Sequence, residues 1–165
     1  VYGIFKAYCT RVGSGPFPTE LHDEVGDLLR KEGNEYGATT GRPRRCGWLD
    51  LPALKYAVMI NGTTELFMMK ADVLNNFQQI KICTHYELED GTVTDQMPYE
   101  VCDQPIKPVY KSLKGWNTSL KDAHAFDQLP QELLDYIRFI EEAIEVPINL
   151  ISTGPNRKET VIRNH

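Results

Sequence analysis

Apolar positions along the chain recur with two periods, and each period marks a class of element. Leu133, Leu134, Ile137, Ile140 and Ile144 follow the spacing of one helix face and predict a helix over about 130–145. Upstream, Leu21, Val25, Leu28 and Leu29 do the same. For that helix Thr19 is the expected N-cap, Glu20, Asp23 and Glu24 complement the positive end of the dipole, and Gly33 closes it. A third helix is expected over 50–61, where Pro52 is tolerated in the first turn. Runs of strand type are expected over 1–12, 65–69, 80–88, 92–99, 146–151 and 159–163. Asp90-Gly91 is a hairpin signal between the third and fourth of them. Stretches 34–47 and 103–127 carry Gly and Pro without apolar periodicity and are expected to be irregular. Helices and strands mix without strict alternation and one pair is antiparallel, so the expected class is mixed α/β.

Composition narrows the function classes. The chain has 165 residues, enough for one domain or a little more, with 41% hydrophobic and 25% charged residues. A formal charge of −5 argues against a general nucleic-acid binder, whose footprint is a basic excess. No apolar run approaches the ~20 residues that span a bilayer, and no basic leader with an apolar stretch opens the chain. The expectation is a cytoplasmic protein with no membrane partner. Cys9, Cys46, Cys83 and Cys102 form no Cys-x-x-Cys pair, so neither a structural metal nor a disulfide is expected. The chain opens on Val1-Tyr2-Gly3-Ile4-Phe5 in the middle of a strand pattern, which is expected of a part of something longer.

Three loops carry candidate chemistry. Gly37-Ala38-Thr39-Thr40-Gly41-Arg42-Pro43-Arg44-Arg45 places three arginines beside two threonines and two glycines on an acidic chain. Glycines let backbone approach a ligand, hydroxyls donate to anionic oxygens, and arginine forks match carboxylate or phosphate bidentately. The alternative is a solvated basic turn paired with surface acids. No Gly-Lys-Ser/Thr closes the loop, so it is not a Walker loop. Lys70-Ala71-Asp72 ends an apolar run. A carboxylate there can accept from both the N1 hydrogen and the exocyclic amine of guanine, while the lysine stem lies along the purine face. The alternative is that Asp72 caps a helix. Ser152-Thr153-Gly154-Pro155 follows another apolar run, where ligands of α/β sheets often sit, or is an ordinary turn. No histidine is placed for a catalytic triad, and no catalytic residue is assigned.

Together these motifs resemble the adenylosuccinate synthetase family. The resemblance rests on Thr10-Arg11-Val12-Gly13-Ser14-Gly15-Pro16-Phe17-Pro18-Thr19-Glu20-Leu21, on residues 37–50, on Lys70-Ala71-Asp72-Val73-Leu74 and on Ile151-Ser152-Thr153-Gly154-Pro155, in family order and spacing. It implies a C-terminal α/β domain covering 1–165, of a fold related to P-loop GTP-binding proteins with the phosphate-loop half absent. The implied activity is GTP-dependent joining of IMP and L-aspartate into adenylosuccinate, on the path to AMP. Phosphorylation of the inosinate 6-oxygen precedes displacement by the aspartate amine, with Mg2+ assisting and its ligands expected in the missing N-terminal part. That part, and a second copy in a homodimer, are the implied partners. By position, Ala38, Thr39, Thr40, Gly41, Arg42, Pro43 and Arg44 correspond to the aspartate loop, and Val12 to a contact with the inosinate sugar. Arg42 engages the aspartate carboxylate beside the ribose, and Arg44 also reaches the GTP side. Lys70, Ala71 and Asp72 correspond to the guanine reader, and Ser152, Thr153 and Gly154 complete its pocket. Ala71 replaces a bulkier apolar residue and Pro43 an arginine found in some relatives; neither position has an assigned side-chain role. No phosphate loop, base, acid or metal ligand is matched, so the chain alone is expected to be inactive. A stand-alone, non-catalytic purine-nucleotide-binding module is the alternative.

Overall fold

Residues 1–12 form two strands, not the single one their composition suggests. The computed structural model describes residues 1–99, 101–102 and 105–163. Asp103, at the head of the expected irregular stretch, and His165 lie outside the described residues. Strand β1 is Tyr2–Lys6 and β2 is Cys9–Arg11. Between them Ala7 and Tyr8 are both buried, the Ala7 amide donating to Met69 O at 2.9 Å and the Tyr8 hydroxyl donating to Glu35 at 2.6 Å. The chain bends there, and the two strands join different sheets. Two compact units result: residues 1–7, 57–80 and 112 onward, and residues 8–56 with 81–111.

The first unit is built on a four-stranded sheet, ordered β1-β5-β9-β10, where β5 is Glu65–Met69, β9 is Ile148–Ser152 and β10 is Thr160–Ile162. The first three run parallel and β10 is antiparallel to β9. Register gives the sheet two unlike faces. Phe5, Met68, Ile151 and Val161 are successive partners across the strands, and the last three are 0% exposed. One position away, Ile4, Phe67, Leu150 and Ile162 form the opposite row, with Ile4 73% and Ile162 60% exposed. Helix α3, Gln131–Ile144, buries Leu133, Tyr136, Ile137, Ile140 and Ile144. The Tyr136 hydroxyl donates to Ala7 O at 2.6 Å, and Glu141 accepts from Ile148 N and from Arg163, both at 2.7 Å. Glu145 ends the helix in the left-handed region at φ 57°.

In the second unit, helix α1 is Glu24–Glu32, and its cap is Asp23 rather than Thr19. The Asp23 carboxylate accepts from Val25 N and Gly26 N, both at 3.1 Å, satisfying two orphan donors with a charge the dipole favours. Leu21 is outside the helix, its amide donating to Cys46 O at 2.9 Å. Thr19 is buried instead, its carbonyl close against Gly47, and the last residues of the expected loop form strand β3, Arg45–Gly47. β3 pairs antiparallel with β2. Strand β4, Leu49–Asp50, runs parallel to β6, Gln79–Glu87, and leads into α2, Leu51–Asn61. Asp50 caps α2 through Ala53 N at 3.1 Å and accepts from the buried Tyr86 hydroxyl at 2.6 Å.

The Asp90-Gly91 hairpin forms, with Leu88 N donating to Thr92 O at 2.8 Å and Gly91 at φ 83°. Its second strand, β7, is only Val93–Thr94, not 92–99. The stretch expected to be irregular contains strand β8, Lys107–Lys114, which pairs with β6. Half-buried and exposed residues alternate along most of it, and Pro108 is compatible with a strand lacking one ladder donor. The mixed α/β class is as expected.

Candidate functional site

In the first unit the parallel strands β5 and β9 are neighbours, with Met68 opposite Ile151. Both chains therefore leave the sheet at the same level and edge, carrying Lys70-Ala71-Asp72 and Ser152-Thr153-Gly154 side by side. Lys70 turns the corner in the left-handed region, at φ 62° and ψ 35°. Ala71 to Leu74 form one 3-10 turn, with Ala71, Val73 and Leu74 buried. This turn is capped without any side-chain hydrogen bond, and Asp72 lies inside it. The helix-cap alternative for Asp72 therefore falls away. Its carboxyl is half-buried, and burial pushes it above the usual carboxylate range. Nearby amides and Lys70 oppose that rise, while Glu159 adds to it.

The facing loop is built around a residue that sequence reasoning missed. Glu159 Oε2 accepts from Asn156 N and Asn156 Nδ2, both at 2.8 Å, and Glu159 O accepts from Thr153 N at 2.9 Å. A Cβ on Gly154 would lie 2.4 Å from Glu159 Oε2, so a larger residue there would displace the Glu159 carboxylate. Ser152 Oγ donates to Gly154 O at 2.9 Å. Thr153 is buried, and its Oγ1 has no hydrogen-bond partner among the described residues. The signal for Glu159 was its place five residues after a glycine turn, too common to read. The resulting edge offers a half-buried carboxylate and a lysine stem, a set suited to a polar planar ligand.

In the second unit the β2–β3 ladder ends at Arg11 opposite Arg45, so Val12 and Arg44 are the next residues at one end of the ribbon. Val12 is exposed. The loop is a small hairpin: Arg44 N donates to Glu35 O at 2.9 Å, Tyr36 bridges Pro43, and Gly37 N donates to Arg42 O at 2.9 Å. Gly41 sits at φ 63° with its amide on Gly37 O at 2.8 Å. Ala38, Thr39, Thr40, Gly41, Arg42 and Pro43 are exposed, and Thr40 Oγ1 accepts from Arg42 N at 3.4 Å.

The three arginines separate by partner. Arg45 donates to Glu20, to Gly13 O at 3.1 Å and to Gly15 O at 2.8 Å, and lies over Phe17. Hydrogen bonding from Arg45 holds the Glu20 carboxyl below its ordinary range. Arg44 donates to the fully buried Glu35 at 2.8 Å, leaving its side chain 33% exposed. Arg42 pairs with no carboxylate among the described residues and is exposed. Arg42 and the flanking backbone are thus available for an anion, while Arg45 fastens the turn at 13–16. The structure places Val12 beside Arg44 at the end of the β2–β3 ribbon, and Lys70 to Asp72 beside Ser152 to Gly154.

Known proteins carry the same arrangement of sequence. A family model described as adenylosuccinate synthetase matches residues 1–161. An adenylosuccinate synthetase of Cytophaga hutchinsonii is 65% identical over 164 residues, which are 99% of this chain and 38% of that protein. One from Flavobacterium johnsoniae is 56% identical, with the same two coverages. The structure of fully ligated adenylosuccinate synthetase from Plasmodium falciparum superposes with a TM-score of 0.93 at 40% identity, over 99% of this chain and 39% of that one. The chain thus spans under two-fifths of the length of the relatives it matches.

Proposed function

The chain belongs to the adenylosuccinate synthetase family, and from that premise we propose that it supplies the substrate-binding part of a cytoplasmic, homodimeric enzyme that joins IMP to L-aspartate using GTP. In this reading Arg42 takes an aspartate carboxylate, with the hydroxyls and amides of residues 38–41 around it and Val12 against the inosinate sugar. Arg44 serves the same loop and the GTP side. Asp72 reads the guanine edge, with Lys70 along the ring and Ser152, Thr153 and Gly154 closing the pocket.

The observation that carries the reading is the convergence of Lys70-Ala71-Asp72 with Ser152-Thr153-Gly154 at one edge of parallel strands. A carboxyl partly withdrawn from water without a cap to make is what a base-reading site requires. Mg2+ belongs to the family's chemistry. Among the described residues no cluster of three or more His, Cys, Asp or Glu fits a metal ion. What this chain's residues do is bind and orient, which removes the entropic part of the barrier. Proton transfer and metal binding are assigned to the rest of the polypeptide.

The test is Asp72→Asn in a full-length family enzyme carrying these residues. Asparagine keeps the shape but replaces one acceptor by a donor, which leaves guanine facing an unpaired group at a cost of about 1–3 kcal/mol. Xanthosine triphosphate presents a carbonyl at that position and gains relative to GTP. The ratio of kcat/KM for the two nucleotides is expected to move toward the xanthine nucleotide by about tenfold or more. A ratio that stays put removes Asp72 from the base site. The same assay on the isolated 165-residue chain is expected to show no turnover, and product above background would overturn that assignment.

A further inference from the structure

We propose that Glu35, held by Tyr8, is a positioning residue that sets Arg44 for the anionic ligand of the 37–44 loop. The inference deepens the reading of that loop and rests on it. A carboxylate that is 0% exposed needs charged or hydrogen-bonding partners. Glu35 has them on both oxygens: Oε1 accepts from the buried Tyr8 hydroxyl at 2.6 Å, and Oε2 from Arg44 Nη1 at 2.8 Å. The backbone repeats the link, Arg44 N donating to Glu35 O at 2.9 Å. Arg44 O in turn accepts from Arg30 Nε at 2.9 Å. Arg44 is thereby fixed at both its main chain and one arm of its fork, with the side chain still one-third exposed.

Gly33 shows how closely this arrangement is packed. A Cβ there would lie 2.3 Å from the Tyr8 hydroxyl oxygen and 3.0 Å from Glu35 Cγ. Its φ is −77°, so glycine is needed for space, not for backbone angle. Positions 8, 33, 35 and 44 thus converge on one contact at the base of the loop. Such a contact is a costly way to stabilise a fold, since an apolar replacement of buried ions is often as stable. It does hold a long, entropically free arginine in one geometry before ligand arrives.

The experiment uses a full-length family enzyme bearing these residues, with Glu35→Gln, Tyr8→Phe, Arg44→Gln and the double variant Glu35→Gln/Arg44→Gln. Glu35→Gln is expected to raise the KM for aspartate about tenfold, and Tyr8→Phe by a smaller factor. The decisive reading is non-additivity. The double variant is expected to be no worse than Arg44→Gln alone, because Glu35 acts through Arg44. Multiplicative effects, or a Glu35→Gln enzyme whose KM is unchanged while only its melting temperature falls, would overturn the inference. Should Glu35→Gln fail to fold, Tyr8→Phe with and without Arg44→Gln decides by the same comparison. If Arg42→Leu and Arg44→Gln themselves leave every substrate's KM untouched, it is the proposed reading of the loop that fails.

Discussion

Arg42, Arg44 and Arg45 stand within four positions, yet their partners give them three different tasks. Arg45 holds two backbone carbonyls and Glu20, Arg44 holds a buried carboxylate, and Arg42 holds none among the described residues. Composition alone treats them as one basic cluster. Their partners predict different responses to the same substitution. Arg45→Leu leaves the half-buried Glu20 and the carbonyls of Gly13 and Gly15 without their donor, and is expected to lower unfolding free energy by about 1–3 kcal/mol. Arg42→Leu is expected to change stability by no more than about 0.5 kcal/mol. In a full-length enzyme it is expected to reduce aspartate use at least about tenfold, the equivalent of ~1.4 kcal/mol for a charge-assisted bond. Urea denaturation of the chain and steady-state kinetics of the enzyme check the two halves. An Arg42→Leu variant that unfolds early but turns over normally would reverse the assignment.

At the scale of elements, what was legible in the sequence is what local chemistry determines. Helix α3, strand β5 and the Asp90-Gly91 hairpin follow from periodicity and turn residues, and they appear where expected. The loops at the ends of β5 and β9 were legible too, as motifs in order. What was not legible depends on partners far along the chain. The break between β1 and β2 parts Ala7, whose amide donates to Met69 O, from Tyr8, whose hydroxyl donates to Glu35, and both partners lie far along the chain. Strand β8 is exposed on alternate residues and carries Pro108, so its local signal was that of a loop. The start of α1 was misjudged because Thr19 and Asp23 are both good caps, and choosing between them requires knowing that Thr19 is buried. This yields a direct comparison. Asp23→Ala is expected to cost ~1 kcal/mol as the loss of an N-cap with a favourable dipole charge. Thr19→Val, which removes a buried hydroxyl lacking a partner among the described residues, is expected to be neutral or stabilising. Thermal unfolding of both variants decides, and a larger loss from Thr19→Val would restore the threonine as the cap.

On the scale of the whole molecule, the four-stranded sheet poses a conflict between its type and its exposure. Mostly parallel sheets are normally covered on both faces, and one face here obeys, with Met68, Ile151 and Val161 fully buried. The opposite row runs Ile4, Phe67, Leu150 and Ile162 in register across all four strands, and Tyr2 stacks on Phe67 with ring centroids 5.2 Å apart. Tyr2, Ile4 and Ile162 are each at least 60% exposed. A contiguous apolar row of this kind is uncommon on the surface of a monomeric protein. The chain spans only 38% of the length of the curated relatives it matches. For the 165-residue chain the physics is asymmetric. Ile4→Lys and Ile162→Lys place charges in water and are expected to cost no more than about 0.5 kcal/mol each. Met68→Lys, one residue on and facing the other way, buries an unpaired ammonium and is expected to cost several times that, about 3 kcal/mol or more. The wild-type chain is expected to bind an apolar fluorescent dye in its folded state, and the Ile4→Lys/Ile162→Lys pair to reduce that binding. Denaturation midpoints and dye titrations on the same samples check both. Equal destabilisation by Ile4→Lys and Met68→Lys would mean that the exposed row is packed in solution.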